Sequence, residues 1–465
     1  MSDRKYLFEI KQELSRGGPG LCLAKWYEVS MHLESGHNHS CVHPRTHRVP
    51  EDEVKANHHA LHNSQYKKSV RAEMLAGGRP QECNYCWNME DVGDPDIIPD
   101  RVYFSSVHLD EKRRGGGDAV QEVMDLGADH DFFPRSVEVS FSTTCNFKCS
   151  YCGPEVSSRW FKEIERQGPY PIILTGTSIN QMQRQQKIPI SDREYNPYIE
   201  AFWKWLPEAY PHIKILRVTG GEPLLINHTF RLMDWVKANP RPDLEFGINS
   251  NLGVPDSIFE RFLSAMREIA ERNSVGKLVV WTSCEATGDQ CDYIRYGMNY
   301  QKWLTNFRRV LDEIPGSSVR VMTTYSALSA PSYLEFCRDI YELRRVYGDR
   351  VIFDTHTYLH YPKYLAIDIL TPDFREYFQK ECDFISEMKS QGLATDHEVF
   401  QSQRQLSYFD ARINNPLEQL SLLRKDFFSF VDEYDHRRGT NFLATFPEMS
   451  DFYELCKNTI WWDEE

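Results

Sequence analysis

The chain has 465 residues, with 54 Lys and Arg against 68 Asp and Glu, for a formal charge of −14. Phosphate backbones and anionic lipid need a basic face, so this charge excludes a general nucleic-acid-binding or polybasic membrane-surface role. With 41% hydrophobic and 13% aromatic residues the chain can bury a large core, which excludes wholesale disorder. The opening Met1-Ser2-Asp3-Arg4-Lys5-Tyr6 runs into Ile10-Lys11-Gln12-Glu13 without an apolar stretch. No run of about 18 apolar residues follows. A soluble, cytoplasmic protein with neither signal peptide nor membrane span is expected.

Twelve cysteines in such a chain read as metal ligands or buried thiols rather than a disulfide framework. The first group is Cys22, thirteen residues, Gly36, four residues, Cys41, then Cys83-Asn84-Tyr85-Cys86. Four thiols suffice to close an iron–sulfur cube or a structural zinc site, and both readings stay open. His32, His37, His39, His43 and His47 crowd the same stretch, either as polar turn residues or as substitute or second-metal ligands.

From Arg135 onward, short β-rich runs alternate with helical patterns. Strands are expected at Ser136–Phe141, Ile213–Val218, Leu244–Ile248, Lys277–Thr282, Val319–Thr324 and Val351–Asp354. Helices are expected at Glu155–Ile164, Ile199–Ala209, Phe230–Ala238, Ser257–Arg272, Lys302–Glu313 and Ser332–Val346. Six βα units in a row imply an α/β fold on a parallel sheet. After the first strand comes Thr144-Cys145-Asn146-Phe147-Lys148-Cys149-Ser150-Tyr151-Cys152, a C-x3-C-x2-C triplet with no further Cys or His in the next twenty residues. Three thiolates on one loop hold three irons of a 4Fe–4S cube and leave the fourth without a protein ligand. A polar insertion, Arg166–Asp192, exceeds the usual length of a connection and is either a gate or a surface insertion. Cys284, Cys291, Cys337, Cys382 and Cys456 are scattered and read as small buried hydrophobes.

The triplet, with an aromatic (Tyr151) before its third cysteine, resembles the defining loop of the radical S-adenosylmethionine (SAM) superfamily. Thr219-Gly220-Gly221-Glu222-Pro223 resembles that family's GGE motif. The resemblance implies that the backbone of Gly220 and Gly221 and the carboxylate of Glu222 hold the methionyl ammonium of SAM. Asn249-Ser250-Asn251-Leu252-Gly253 is similar to the family's Thr-Asn-Gly turn, which assigns Asn249 to the cofactor site. Trp281-Thr282-Ser283-Cys284-Glu285-Ala286, followed by Tyr293-Ile294-Arg295, resembles a segment in which Ser283 binds ribose hydroxyls and Arg295 the SAM carboxylate. The family's Asp is Glu285 here. The C-x(9–15)-G-x4-C unit of the first group resembles the twitch and SPASM modules, which would place an auxiliary 4Fe–4S cluster on Cys22, Cys41, Cys83 and Cys86.

The fold so implied is a partial (β/α)6 TIM-type barrel over 130–365, preceded by a small cluster-binding module at 1–115 and followed by a helical C-terminal extension at 366–465. The implied activity is reductive cleavage of SAM at the cluster on Cys145, Cys149 and Cys152. The resulting 5′-deoxyadenosyl radical abstracts hydrogen from a peptide, protein side chain or small polar molecule, with net oxidation through the second cluster. An external one-electron reductant of the flavodoxin or ferredoxin type is required. Only twenty-one residues precede Cys22, so a peptide substrate would need a separate carrier protein. The competing reading is a zinc- or iron–sulfur-dependent interaction or RNA-binding protein without SAM chemistry; the GGE segment and the acidic balance speak against it.

Overall fold

The computed structural model describes residues 3–93, 98–174, 178–354 and 357–459. It is a mixed α/β chain that divides into two units, each drawn from three stretches. Met1–Ser142, Gln186–Gly220 and Asp243–Phe246 form the first; Thr143–Gln185, Gly221–Pro242 and Gly247–Glu465 form the second.

In the first unit the strand Ser136–Ser140 runs between Glu28–His32 and Ile215–Thr219, parallel to both. Val29, Val137 and Leu216 share one row across these strands, and Met31, Val139 and Val218 another. All six are buried, while Glu28, Ser30, Glu138 and Arg217 alternate onto the more open face, as the pleat requires. Glu28–His32 continues antiparallel into His37–His39 and then His47–Arg48, with the turn at Gly36 where the cysteine spacing puts it. The segment before Ser136 therefore adds strands to this sheet, which its sequence did not announce. It also carries the helices Asp3–Leu14, Gln65–Leu75, Asp100–Arg114 and Ala119–Leu126. Ile10, Leu14, Val70, Met74, Leu109 and Val120 from these helices share one core with Cys22 and Trp26. Helix starts are chemically marked: Asp118 accepts from Val120 and Gln121 N–H, and Asn196 from Tyr198 and Ile199 N–H ahead of Pro197–Ala209.

The second unit holds the parallel strands Val275–Ser283, Ser318–Met322 and Val351–Asp354, joined through Tyr300–Glu313 and Tyr333–Tyr347. Asn227–Ala238 and Asp256–Glu271 are its other core helices. The strand Arg241–Asn249 is divided between the units. Its Glu245 N–H bonds Lys214 O in the first, and Arg241 N–H bonds Ser274 O in the second. All six expected strands are thus present, Val351–Asp354 with the expected bounds and the other five with one or both ends shifted. The helix expected from Glu155 starts at Ser158, because residues up to Ser157 close a turn on the carbonyl of Gly153.

The insertion Arg166–Asp192 contains a short helix, Ile179–Arg184, and residues 175–177 lie outside the described residues. Its 168–174 stretch is bonded to the C-terminal helix Leu420–Arg438. Asp426 accepts from Ile173 and Leu174 N–H at 2.7 and 2.9 Å, and Arg437 donates to Gly168 and Pro169 carbonyls at 2.9 and 3.2 Å. The rest of the chain's end is helical as expected, with Arg375–Ser390, Asp396–Asn414 and Ser450–Asn458. No helix among the described residues is long and apolar enough to cross a membrane.

Gly36 has φ +72°, and a Cβ there falls 2.0 Å from Tyr198 Cζ. Gly316 has φ +69° with open space around it. Gly316→Ala should cost the ~1–2 kcal/mol of a left-handed backbone. Gly36→Ala should cost a further ~1–3 kcal/mol for displacing the ring. Thermal unfolding of the two variants side by side measures the difference.

Candidate functional site

The cysteine triplet is held by its own backbone. Cys149 pairs antiparallel with Arg295 and Lys148 with Tyr296, and Ser150 N–H donates to Ile294 O at 2.7 Å. Cys152 N–H closes a turn on Cys149 O at 3.0 Å. The helix Ser158–Gln167 grips the loop from behind: Cys145 N–H donates to Ser158 Oγ at 3.3 Å, and the Trp160 indole to Cys149 O at 2.9 Å.

The glycines of the GGE segment are explained by the loop they lie against. A Cβ on Gly221 falls 2.4 Å from Thr144 O and 2.5 Å from Thr143 O. Gly220 has φ +125°, with Ser140 Oγ and Ser142 O at 2.7 and 2.8 Å from the same position. Their lack of side chains lets this backbone press on residues 140–144. Glu222 N–H then donates to Thr144 O at 2.8 Å. The Glu222 carboxylate is fully buried and accepts from Leu224 N–H at 3.1 Å and Asn251 N–H at 2.7 Å. Asn251 in turn donates to Asn146 Oδ1 at 2.9 Å, and Asn146 to Gly253 O at 2.9 Å. The Asn249–Gly253 turn, the GGE segment and the cysteine loop are therefore one hydrogen-bonded body.

Arg295 is already paired. Its Nε and Nη2 donate to the two oxygens of Glu285 at 2.9 and 2.6 Å, with both residues buried. Tyr151 completes the group, its hydroxyl 3.2 Å from each Glu285 oxygen and its ring 5.5 Å from the guanidinium. The departure of Glu285 from the family's Asp thus coincides with a bidentate lock on the arginine that the resemblance assigns to the SAM carboxylate. Ser283 and Asn249 stand at strand ends, half-buried. The thiols are tuned unequally. A hydrogen bond from Cys152 and then the charge of Arg295 hold Cys149 low, burial offsets part of this, and the same bond holds Cys152 well up. Burial pushes Cys145 up to about 12.

In the first unit Cys22 leads into the turn Ala24–Tyr27, Cys41 follows His37–His39, and Cys83 and Cys86 flank the start of Asn84–Asp91. Cys22 is an electrostatic neighbour of each of the other three, although among the described residues no three of these thiols lie within 4.8 Å of one another. Burial pushes Cys83 and Cys86 up to about 12, and Cys22 and Cys41 upward as well. Two buried cations act on them, Lys25 on Cys22, Cys41 and Cys83, and Arg101, paired with Glu90, on Cys22 and Cys86. Lys25 pairs with Glu82 beside Cys83 and Cys41. Lys67 donates to Glu28 O at 2.9 Å, and Arg71 to Lys25 O at 3.1 Å and Asn63 Oδ1 at 2.8 Å. Neither Lys67 nor Arg71 forms an ion pair among the described residues; burial pushes Lys67 well down and Arg71 down to about 9, against the charges of Glu82 and Glu28 on Lys67 and of Asp131 on Arg71. The histidines of this stretch are engaged by protein groups: His43 bonds Asp100 at 2.7 Å and stacks on Tyr85, His39 bonds Cys41 O, and His47 packs on Tyr66. Cys284, Cys291, Cys337, Cys382 and Cys456 are all buried. A cluster that sequence reading missed is the surface group of His58 and His59 on Glu208, at 2.8 and 3.1 Å; residues 150 apart in sequence gave no spacing signal.

No protein-family model matches this sequence, and no curated protein does. Among solved structures, a similar chain is Streptococcus suis SuiB bound to precursor peptide SuiA. It is 12% identical with a TM-score of 0.28, over 68% of this chain and 60% of that one. Another is the same protein bound to S-adenosylmethionine, 12% identical with a TM-score of 0.30, over 78% and 69%. Superpositions this loose leave the functional reading to the residues themselves.

Burial pushes Glu222 up to about 7 from an ordinary 4.5, against hydrogen bonds from Asn251, Leu224 and Ser250 that lower it. The folded state therefore keeps a proton that the unfolded chain has lost between these values. The stability this contributes is present below about 4.5 and is lost as pH rises through about 7. Denaturant unfolding at pH 5 and pH 8 should show the difference between parent and Glu222→Gln changing by up to the order of 3 kcal/mol, with the variant flatter.

Proposed function

We propose that the chain is a radical SAM enzyme whose six βα units form the family's partial barrel. The observation that carries this reading is the convergence of the triplet loop with the GGE segment and the Arg295 strand: Gly221 and Glu222 lie on Thr143 and Thr144, and Cys149 pairs with Arg295. Motifs some seventy and 140 residues apart are thus joined by direct backbone contact.

The donors suit the group. Three thiols on one rigid loop are the ligand set of a 4Fe–4S cube with one iron left to SAM. The buried Ser150 Oγ beside Cys149 is without a hydrogen-bond partner, as a polar atom facing such a group would be. When bound, the cluster and SAM supply the 5′-deoxyadenosyl radical that takes hydrogen from substrate. The chain's own work is positional. Glu222 and the Asn249–Gly253 turn keep the loop in place and offer buried polar groups to the methionyl end. Tyr151 and the Glu285–Arg295 pair close the loop's other side, and Ser283 lies at the strand end nearest that pair in sequence. An aromatic cleft of about 50 Å3 lies beside Tyr151 and Cys152, lined by Trp160, Tyr170, Tyr364 and Phe430.

For Cys22, Cys41, Cys83 and Cys86 the proposal is a second, fully ligated cluster that takes up the electron left on the oxidised substrate. Buried Lys25 and Arg101, whose charges act on these thiols, support an anionic occupant, because a desolvated cation favours a compensating charge. A peptide, protein side chain or small polar molecule stays as the substrate class. The reductant is an external one-electron carrier.

Anaerobic iron and sulfide analysis with electron paramagnetic resonance (EPR) tests the core. The parent should hold about eight irons per chain, and Cys145→Ala/Cys149→Ala/Cys152→Ala about four, with no 5′-deoxyadenosine formed. Zinc in the N-terminal site would overturn its redox role.

The two clusters separate in a second experiment. Cys83→Ala/Cys86→Ala should lose only the N-terminal iron and keep dithionite-driven formation of 5′-deoxyadenosine, while turnover to an oxidised product falls. If cleavage vanishes although SAM still binds the intact loop, the N-terminal cluster supplies the reducing electron or the local fold instead.

A further inference from the structure

The helix Ser158–Gln167 has two unlike faces. Trp160, Glu163 and Ile164 are buried against the cysteine loop, with Trp160 and Ser158 hydrogen-bonded to Cys149 and Cys145. Arg159, Lys162 and Arg166, spaced i, i+3 and i+7, form one stripe and are all exposed. None of the three has an ion-pair partner among the described residues. Exposed Glu165 flanks the stripe. Lys148, from the loop between Cys145 and Cys149, and Arg437 line the same cleft of about 320 Å3. Both are committed, Lys148 to Glu163 and Arg437 to Glu433 and the Gly168 and Pro169 carbonyls. Glu163 is the one carboxylate in that lining. Three uncompensated cations side by side run against the bias of a chain carrying −14. They stand one helix diameter, about 10 Å, from the loop that the inner face grips.

We propose that this stripe is the docking surface for an acidic one-electron carrier protein of the flavodoxin or ferredoxin kind. The inference rests on the functional reading above and specifies where its electron enters. The reduced carrier gives up one electron and the cluster on Cys145, Cys149 and Cys152 gains it; no bond is made or broken and no proton moves. Opposite charge on a small, wet contact steers encounter and releases the spent carrier, which suits a transient redox complex.

The test uses the cluster-loaded protein with an oxidised bacterial flavodoxin and an oxidised [2Fe–2S] ferredoxin as probes. The parent should bind at least one of them with an affinity that falls steeply with salt. Arg159→Gln/Lys162→Gln/Arg166→Gln should bind it at least roughly tenfold more weakly and with a flatter salt dependence. Its iron content, unfolding midpoint and dithionite-reduced EPR signal should match the parent. Arg375→Gln/Lys380→Gln/Lys389→Gln, an equal change of charge on the helix Arg375–Ser390, should bind like the parent. Equal weakening in both triple variants would reduce the effect to net charge and overturn the proposal. So would a stripe variant that binds as the parent does, or a patch that takes a short RNA while both carriers fail. A parent that takes up no iron at the triplet defeats the functional reading itself; a loaded parent indifferent to the stripe defeats this surface alone.

Discussion

The buried carboxylate of Glu222 is the joint on which the candidate site hangs. One residue ties three segments: its N–H holds the cysteine loop at Thr144, one oxygen holds the turn after the GGE segment, and the other holds the Asn249–Gly253 turn. A carboxylate with no exposure is expensive to keep ionised, and the acceptor bonds offset only part of that cost. Its ionisation is thus available to a cation brought in from outside, which couples the loop's geometry to whatever binds there.

The two cysteine sets solve the problem of burying charge in the same way, with a cation answered by a carboxylate. Around the triplet the cation Arg295 is matched by Glu285 at bidentate distance, so the loop is nearly neutral before any thiol ionises. Around Cys22, Cys41, Cys83 and Cys86 the cations that act on the thiols are Lys25, answered by Glu82, and Arg101, answered by Glu90. Each set therefore keeps a cation beside its thiols together with the carboxylate that answers it.

The parallel strands were legible from short stretches rich in Val, Ile and Phe, as in Val351–Asp354 and Ser318–Met322, whose apolar side chains alternate into the core. The cysteine and glycine motifs were legible as spacings. The N-terminal helices were hidden by their own chemistry. Gln65–Leu75 buries Lys67, Val70, Arg71 and Met74, the right helical period with cations at two of the four places. No spacing could reveal that Arg295 is already engaged, since that depends on a strand pairing and on one extra methylene in Glu285. The glycines of the GGE segment carried a correct signal with an incomplete cause: close approach is required, and part of it is to the protein's own backbone.

The bonds from Asp426 and Arg437 to residues 168–174 span more than 250 positions of sequence. On the ribosome the cysteine triplet emerges well before the helix that secures the segment behind it, which is made about 270 residues later. Until Leu420–Arg438 is released, Gly168–Leu174 lacks its partners and the grip behind the loop is incomplete. Contacts of such separation form late. The triplet loop thus spends the making of about 270 further residues without the full support of the segment behind it.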